Sequence, residues 1–448
     1  MVASILARLV CMGGKDSIPP PPPDVYFPHH DRDARLIHIV IPCVVFLTIT
    51  YGALMAFFIA GGLRVGRPVL RPAETARRAR KTAASGMAAV SSASSTRVSA
   101  GQEYSNHEGE EFEAPALPSV SVIVPMRNEE ANAEATLRAL AAQDYPGEWE
   151  IICVNDRSHD ATGNILRSFR DADPRFSVVD IPMDAPAVTS PKKRALAAGF
   201  AAAKGEILMT TDADCIARPG WLASMAGRFE ADIGIVQGPK RIRGDGSLLS
   251  RYQEHEVFGL VSIEAATFAL GRPMIASAPS LAYRRSLYES VGGFHGLEDT
   301  ISGDDDMLVR KMQKVPGWKV AYNPSPDACV TTSPAPTWSG MLTQRARWAS
   351  NGAHYEEKGF VALLCCIYAF YWWLAASPFL AAAGLVPWWA FAIPAAVKVL
   401  SNAVFLSITA RRLDHRGILR DLIWCEVLHV PIVIMAVILG HLGLYRWK

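Results

Sequence analysis

The sequence of 448 residues lacks several patterns that would identify common protein classes. Its eight cysteines are scattered and form no Cys-x-x-Cys pair. This argues against a disulfide framework and against a zinc site, and it suits a reducing compartment. No GxxxxGKS or GxxxxGKT motif is present, and no GxGxxG motif follows a strand-like run. Hydrolysis of ATP by a P-loop enzyme and binding of a dinucleotide are therefore both disfavoured.

Charged residues are missing from several long stretches of the chain. Residues 36–63 and 359–397 contain no Asp, Glu, Lys or Arg, and a further apolar stretch occupies residues 422–445. A membrane-spanning helix needs about 20 consecutive apolar residues, so we predict four spans, at 36–63, 359–386, 388–410 and 422–445. Because about 35 residues precede the first span, we interpret it as a transmembrane helix and not as a signal peptide.

Basic residues orient the predicted spans. Six arginines and a lysine lie between residues 64 and 81, directly after the first span, and a second basic loop follows the third span at residues 411–420. The positive-inside rule places both clusters on the cytoplasmic side. The N-terminal segment 1–35 and the C-terminal tail are then expected outside, and the polar part between the first two spans is expected to be cytosolic. Such clusters suit anionic lipids better than nucleic acid, so we expect membrane lipids and no nucleic acid as partners.

The polar part of the chain begins with a tether and continues as an alternating α/β pattern. Residues 64–117 form a basic juxtamembrane segment and then a run rich in Ala, Ser, Gly and Glu without apolar periodicity, which predicts a flexible linker. From residue 118 to about 335, strand-like runs alternate with helical ones. This pattern predicts a Rossmann-like α/β domain with a mostly parallel sheet, whose ligand site lies beyond the carboxyl ends of the strands.

Polar residues occur where that rule expects them. Asn128 and Glu129 follow the first predicted strand, Asp156 ends the second, and Asp212 and Asp214 follow the fourth. Residues two apart in a strand point to the same side, so the last two carboxylates could converge on one divalent cation. An isolated Asp-x-Asp is more often a helix cap or a turn. Nearby acids and a lysine pair at residues 192–193 favour a site for Mg²⁺ or Mn²⁺ with bound phosphates.

Two further segments allow a structural and a functional interpretation. Residues 297–313 place five acids before an amphipathic helix; these acids either complement the helix dipole or supply a general base. The sequence QRARWASNG at residues 344–352 lies within a predicted interfacial helix, residues 336–358. There the arginines and the tryptophan either contact lipid headgroups or bind a diphosphate and a sugar ring.

Glu426, His429 and Lys398 are ionisable residues within the predicted spans. Glu426 and His429 are three residues apart in the last span, and Lys398 lies well inside the third. Ionisable groups inside a membrane are expensive, so a functional role is the default hypothesis. Counted from the basic loop, Lys398 lies deeper than Glu426, so we do not expect the two to pair directly.

The motifs together resemble a known family, the membrane-bound inverting glycosyltransferases of family 2, which are related to cellulose, chitin and hyaluronan synthases. In chain order the motifs are VIVPMRNEE, VNDRSHDAT, KKRAL, TTDADC, LAYRRSLYESVGGF, SGDDDML and QRARW. They cover residues 118–358. The resemblance implies a GT-A fold in the cytosolic domain, with about four transmembrane helices, in the plasma (inner) membrane.

The resemblance also implies a role for each matching position. Five residues would contact the nucleotide part of a nucleotide-diphosphate sugar, namely Pro125, Asn128, Glu129, Asp156 and Lys192. Asp212 would approach the donor, and Asp214 would ligate Mg²⁺ or Mn²⁺. Asp305 would be the base, with Asp304 as a rival and Glu298 and Asp299 as weaker ones. Four residues would close over the diphosphate and acceptor, namely Gln344, Arg345, Arg347 and Trp348.

The implied reaction is a single displacement with inversion and without a covalent enzyme intermediate. A UDP-sugar is favoured as the donor, and a GDP-sugar remains an alternative. The acceptor would be a polysaccharide or a lipid-linked glycan, and polysaccharide-export proteins are candidate partners. Two other readings stay open at this stage: a non-processive transferase that adds one sugar to a membrane lipid, and a non-catalytic nucleotide-binding scaffold.

Overall fold

The computed structural model describes residues 29–66 and 117–445, apart from Asp299, Ile301 and Arg416. Most of the predicted N-terminal segment and of the linker, and the last three residues, lie outside the described part. The chain divides into two compact units. The sheet unit comprises Ala60–Pro334 and Ile408–Gly417, and the helical unit comprises Met1–Ile59, Ala335–Ser407 and Ile418–Lys448.

Strands and helices alternate along most of the sheet unit. The strands are β1 (Val120–Met126), β2 (Trp149–Asp156), β3 (Phe176–Ile181), β4 (Ile207–Thr210), β5 (Cys215–Ala217), β6 (Ile233–Gln237), β7 (Lys240–Ile242), β8 (Leu281–Arg284), β9 (Lys319–Tyr322) and β10 (Val330–Thr332). The helices are α2 (Ala133–Ala141), α3 (Thr162–Ala172), α4 (Pro191–Ala202), α5 (Trp221–Ala226), α6 (Leu248–Ala269), α7 (Arg285–Ser290) and α8 (Asp306–Gln313).

Seven of these strands form one sheet in the order β3-β2-β1-β4-β8-β6-β9, and β5-β10-β7 form a smaller sheet. In the large sheet β8 runs antiparallel to both neighbours, and the other pairings are parallel. The central strands are apolar on both faces because helices cover both; Val122, Ile123, Val124 and Ile151 are fully buried. The carboxyl ends of β1, β2 and β4 therefore meet at one edge of the sheet, as predicted.

Among the described residues, the helical unit contains most or all of four long apolar helices and one shorter helix. They are α1 (His29–Gly62), α9 (Trp338–Ser350), α10 (Lys358–Ala382), α11 (Trp389–Arg412) and α12 (Leu422–His441). By length and composition, four helical segments are able to cross a membrane, namely Val40–Gly62, Lys358–Ala382, Trp389–Arg412 and Ile418–His441. The α/β fold with about four such helices is therefore confirmed.

A polar cluster lies among these apolar helices. Lys398 of α11 forms an ion pair with Glu426 of α12, and both side chains are buried. Asn402 donates to the other oxygen of Glu426 at 2.8 Å, and the hydroxyl of Tyr51 donates to Asn402 at 3.0 Å. The expectation that Lys398 and Glu426 do not pair is therefore wrong. That expectation assumed that α11 ends and α12 begins at the same depth, on either side of the basic loop. In the structure, Glu426 lies level with the middle of α11.

Candidate active site

Asp212 and Asp214 lie in the tight connection between β4 and β5. The backbone N–H of Thr211 donates to the carbonyl of Ile123 at 3.3 Å, which continues the pairing of β4 with β1. The N–H of Cys215 then donates to the carbonyl of Asp212 at 3.1 Å and closes a turn. This turn presents both carboxylates at the carboxyl edge of the sheet, where possible ligand atoms of Asp212, Asp214 and Cys215 lie within 4.8 Å of one another.

The surroundings of Asp214 and Cys215 indicate which side chains suit a metal. Partial burial and the neighbouring carboxylate of Asp212 raise the pKa of Asp214. A cation between two such acids would remove this repulsion. Burial, together with Asp214, raises the pKa of the Cys215 thiol well above its usual value, so the thiol remains protonated and is a poor ligand. The two carboxylates therefore fit a hard divalent cation such as Mg²⁺ or Mn²⁺, which prefers oxygen ligands.

Lys192 connects the carboxylate pair to the acidic segment before α8. Its Nζ lies 2.8 Å from Oδ1 of Asp212 and 2.9 Å from Oδ2 of Asp304. Burial alone would lower the pKa of Lys192, but Asp212, Asp304 and Asp305 together raise it well above its usual value. The lysine is therefore charged and joins the predicted donor site to the predicted base.

Asp305 is held by backbone groups at the start of α8. Its Oδ1 accepts from the N–H of Asp306 at 2.8 Å, and its Oδ2 accepts from the N–H of Ala278 at 3.2 Å. Burial raises the pKa of Asp305 to about 7, with further contributions from Asp304 and Asp306. A carboxyl group with a pKa near neutrality is suited to accept a proton from a hydroxyl group.

The rival bases have different surroundings. Asp304 is buried and engaged by Lys192. Glu298 is exposed, accepts from the backbone N–H of Gly296 at 2.7 Å and lies 3.2 Å from His295. Asp299 lies outside the described residues. Asp305 caps α8, as the structural interpretation of the acidic segment expects, and its role as a base stays a prediction.

Lys193 anchors the segment before the acids, a role that the sequence did not indicate. Its Nζ donates to the carbonyls of Leu297 and Thr300, each at 2.8 Å, and also to the hydroxyl of Thr300. The side chain is buried, and burial lowers its pKa. The two consecutive lysines therefore have different roles. Lys192 offsets the negative charge of carboxylates, and Lys193 holds a loop in place. The Pro-Lys-Lys sequence at the start of α4 indicated a positive charge there, but it did not indicate which partner each lysine contacts.

The loops after β1 and β2 are joined by hydrogen bonds. The N–H of Asn128 donates to Oγ of Ser158 at 3.1 Å, and the side-chain oxygen of Asn128 accepts from the N–H of His159 at 2.9 Å. The N–H of Glu129 donates to Oγ1 of Thr162 at 2.8 Å. Asn128 has a φ of 52°, which asparagine tolerates better than most residues. These contacts give the predicted nucleotide-binding edge a fixed shape.

Pro125 and Asp156 lie at the same edge. Pro125 pairs with Val154 in register, one residue before the end of β1. Asp156 is 3% exposed, and its Oδ1 lies 2.6 Å from Arg194 and 3.1 Å from Arg157. Arg194, the residue after the lysine pair, was not among the predicted site residues. Arg194 contacts Asp156 because α4 packs against β2, which the sequence alone does not show.

The QRARW motif lies on α9 in the helical unit. The guanidinium of Arg345 stacks over the ring of Trp348 at 4.4 Å and donates to the side chain of Gln344. Arg345 is buried, whereas Gln344, Arg347 and Trp348 are partly exposed. Because α9 and the carboxylates belong to different units, the roles of these four residues remain predictions.

Comparisons with known proteins place the chain in a family. Residues 83–438 match the sequence model of glycosyl transferase family 21. An N-acetylglucosaminyltransferase of Rhizobium meliloti (strain 1021) is 28% identical over 359 residues, covering 72% of this chain and 78% of the relative. A poly-beta-1,6-N-acetyl-D-glucosamine synthase of Staphylococcus epidermidis is 28% identical over 247 residues, covering 54% of this chain and 57% of the synthase. The chain thus spans somewhat more than half the length of that synthase.

Solved structures show a weaker similarity. A mannosyltransferase from Pyrobaculum calidifontis, in complex with GDP-Man and Mn²⁺, is 22% identical and has a TM-score of 0.47, covering 73% of this chain and 88% of that chain. TarS of S. aureus is 15% identical with a TM-score of 0.37, covering 72% of this chain and 55% of that chain. We assign no residue roles from either structure.

The family match and the sheet topology agree with the sequence prediction. Family 21 is the matching family, whereas the motifs suggested family 2. The predictions of a glycosyltransferase, of a mostly parallel α/β domain and of about four helices able to span a membrane are confirmed. The matched region contains both lysines, the carboxylate pair, the acidic segment and α9. The chain is therefore an enzyme of the glycosyltransferase class and belongs to glycosyl transferase family 21.

Proposed function

We propose that this glycosyltransferase moves a sugar, with inversion, from a nucleotide-diphosphate sugar to a polysaccharide or lipid-linked acceptor at the membrane. One observation supports this more than any other. Lys192 contacts both Asp212, of the carboxylate pair, and Asp304, the neighbour of Asp305. This contact supports the proposal, because displacement at an anomeric carbon needs the diphosphate and the base to lie beside each other.

The donor would bind at the carboxyl edge of β1, β2 and β4. Asp214, with Asp212, would hold Mg²⁺ or Mn²⁺, which when bound offsets the negative charge of the leaving diphosphate. Pro125, Asn128, Glu129 and Asp156 line the edge of the sheet where the nucleotide would lie. Lys192 is charged and sits beside Asp212, where it can hold this carboxylate and stabilise a nearby phosphate.

Asp305 would remove the acceptor proton. The hydroxyl oxygen of the acceptor forms a bond to the anomeric carbon as the bond from that carbon to the diphosphate breaks, and Asp305 takes the hydroxyl proton. The two backbone N–H groups on its oxygens fix the orientation of the carboxylate. A single displacement inverts the anomeric centre and forms no covalent bond to the enzyme. Gln344, Arg345, Arg347 and Trp348 would close over the diphosphate and acceptor.

The donor is proposed to be a UDP-sugar, with a GDP-sugar as the alternative. The names of two relatives make N-acetylglucosamine the first sugar to test. For the location, we propose an integral protein of the plasma (inner) membrane with the sheet unit in the cytoplasm. A polysaccharide-export protein is then a possible partner for a growing product.

The test is nucleotide release by the purified full-length protein in lipid. The reaction contains Mn²⁺ or Mg²⁺, a panel of UDP- and GDP-sugars, and a membrane lipid extract as acceptor. The proposal expects metal-dependent release with one donor, loss of release in Asp305→Asn, and strongly reduced release in Asp214→Asn at the same metal concentration. Asp245→Asn serves as the matched control because Asp245 is an exposed loop carboxylate whose partners are local serines.

Each alternative gives a different result. Processive synthesis produces long chains or a ladder on the acceptor, whereas a single-addition enzyme yields one product of fixed size. Nucleotide binding without release under any acceptor condition would favour the scaffold reading and contradict the proposal. Retention at the anomeric carbon, or a glycosylated enzyme after chemical quench, would contradict the single displacement.

A further inference from the structure

The C-terminal end of α12 lies against the end of α9, close to the start of α10, although α12 is long and apolar enough to cross a membrane. We propose that α12 is a re-entrant helix. The chain enters the membrane after α11, and α12 then returns to the face at which α10 begins. The proposal concerns membrane topology and does not rest on the proposed reaction.

The first observation is that α10 and α11 form an antiparallel hairpin. The indole Nε1 of Trp373 on α10 donates to the carbonyl of Ala390, in the first turn of α11, at 2.8 Å. Further along α11, Lys398 lies 5.4 Å from the ring centre of Tyr371, which is earlier on α10. The end of α11 therefore lies at the same face as the start of α10.

The second observation is that α12 also runs antiparallel to α10. The ring of His429 lies 5.7 Å from the ring of Tyr371, and the carbonyl of Ile434 accepts from the hydroxyl of Tyr368 at 3.3 Å. Later residues of α12 therefore contact earlier residues of α10. Consequently α11 and α12, which are consecutive in the chain, run in the same direction.

The third observation locates the end of α12. Gly440 packs so closely on α9 that an added Cβ would lie 2.5 Å from the carbonyl oxygen of Ala346. The hydroxyl of Tyr445 lies 3.2 Å from Oγ of Ser350, the last residue of α9.

A compact link joins the end of α9 to the start of α10. The backbone N–H of His354 donates to the carbonyl of Asn351 at 2.9 Å, and the ring of Tyr355 lies 5.0 Å from that of Phe360 on α10. The end of α12 is therefore close to the start of α10.

The link between α11 and α12 is too short to span the membrane. The N–H of His415 still donates to the carbonyl of Ala410 in the last turn of α11. Between His415 and Leu422 the chain forms a four-residue 3₁₀ helix, Ile418–Asp421. This link reaches about 19 Å at most, which is less than the roughly 30 Å of a hydrocarbon core. Two consecutive helices that run in the same direction can both span the membrane only if the link between them also spans it. This link is too short to do so, and α12 therefore begins part-way into the membrane.

The polar cluster gives the inner part of α12 an anchor. Glu426 is one turn into α12 and is satisfied by Lys398 and Asn402, which lie near the middle of α11. A carboxylate at that depth would be expensive without these partners. The C-terminal part of α12 then packs against α9, the helix that carries QRARW. In this arrangement the C-terminal tail lies on the face from which α10 starts, opposite to the placement expected from the sequence.

The test measures which side of a sealed vesicle exposes the end of the chain. Three single cysteine variants of the full-length protein are treated with a membrane-impermeant maleimide, with the parent chain as background. Leu444→Cys, beyond α12, is 61% exposed in the native residue. Asp171→Cys reports the face of the sheet unit. Leu385→Cys, between α10 and α11, reports the opposite face.

The proposal expects Leu444→Cys to react in the same vesicle preparation as Asp171→Cys, and Leu385→Cys to react only after detergent is added. Reaction of Leu444→Cys together with Leu385→Cys would overturn it. An epitope fused after Lys448 gives a second measurement if the cysteine variant is poorly produced. Antibody binding to that epitope on the Asp171 side supports the re-entrant helix, and binding on the Leu385 side contradicts it.

Discussion

The amino group of Lys192 lies 2.9 Å from the carboxylate of Asp304. Asp304 directly precedes the proposed base, and the same amino group also contacts Asp212. One cation therefore stabilises the two acidic sites of the enzyme, and its removal affects both.

Replacing Lys192 by Met should reduce activity strongly. The variant removes the cation that lies 2.9 Å from the buried carboxylate of Asp304, and it removes a charge beside the proposed diphosphate site. We expect kcat to fall by about 10²-fold, as for loss of one preorganised electrostatic group. The measurement is nucleotide release at saturating donor, with Lys204→Met, an exposed lysine in the same unit, as the control. Equal activity of the two variants would contradict the role of Lys192.

The rate should depend on pH through Asp305. The carboxyl group accepts the acceptor proton only when it is deprotonated, and its pKa is raised to about 7. Activity is therefore expected to be low at pH 5.5, to rise through pH 7 and to reach a plateau above it. Asp305→Asn should lose about 10²- to 10⁴-fold. A profile of kcat/KM that is flat from pH 5.5 to 8 would argue against Asp305 as the base.

Metal binding should require Asp214 but not Cys215. The thiol stays protonated because its pKa is raised well above its usual value. Asp214→Asn should increase the Mn²⁺ concentration for half-maximal activity by about tenfold or more, because it removes one of the two carboxylate ligands. Cys215→Ala should change it by less than about threefold. Activity titrated with Mn²⁺ after EDTA treatment measures both, and a large effect of Cys215→Ala would indicate a thiolate ligand.

Breaking the ion pair between Lys398 and Glu426 should destabilise the helical unit. Lys398→Met leaves Glu426 as a buried acid that keeps its hydrogen bond from Asn402 but loses its cation, and breaking a buried ion pair typically costs about 3–5 kcal/mol. In the double variant Lys398→Met with Glu426→Gln, no charge is buried, and much of the loss should be recovered. Thermal unfolding in detergent measures the three proteins. If the single and double variants unfold at the same temperature, the pair contributes no coupling energy.

The contact of Gly440 with α9 should tolerate no side chain. An added methyl group would lie 2.5 Å from the carbonyl oxygen of Ala346, and backbone atoms cannot move aside without shifting a helix. Gly440→Ala is expected to lower the unfolding temperature by several degrees and to reduce activity. Gly359→Ala is the matched control, since an added methyl group there meets nothing within 4 Å.

Much of the fold was predictable from local patterns. Apolar runs of the right length predict the long helices, and the alternation of strands and helices predicts a parallel sheet, because both patterns depend on burial of one segment at a time. The Asp-x-Asp after β4 was predictable for the same reason: the end of a buried strand is a defined place in the sheet.

Contacts between distant segments were not predictable in this way. Sequence alone indicated charge at Lys192, Lys193 and Arg194, but three consecutive cations make three different contacts, to carboxylates, to loop carbonyls and to Asp156. Which partner each side chain meets depends on how α4 packs against the sheet.

The sequence by itself determined the number of long apolar helices and the alternation of strands and helices, since these follow from composition and spacing. Its motifs indicated the class of the protein by resemblance, and they predict which residues bind metal and transfer a proton. Only the tertiary structure decided how those residues are paired and where α12 leads. The pairing of Lys398 with Glu426 depends on the depth of one helix beside another, and the raised pKa of Asp305 depends on burial among other acids. Both are properties of neighbours in space, which the order of residues along the chain does not specify.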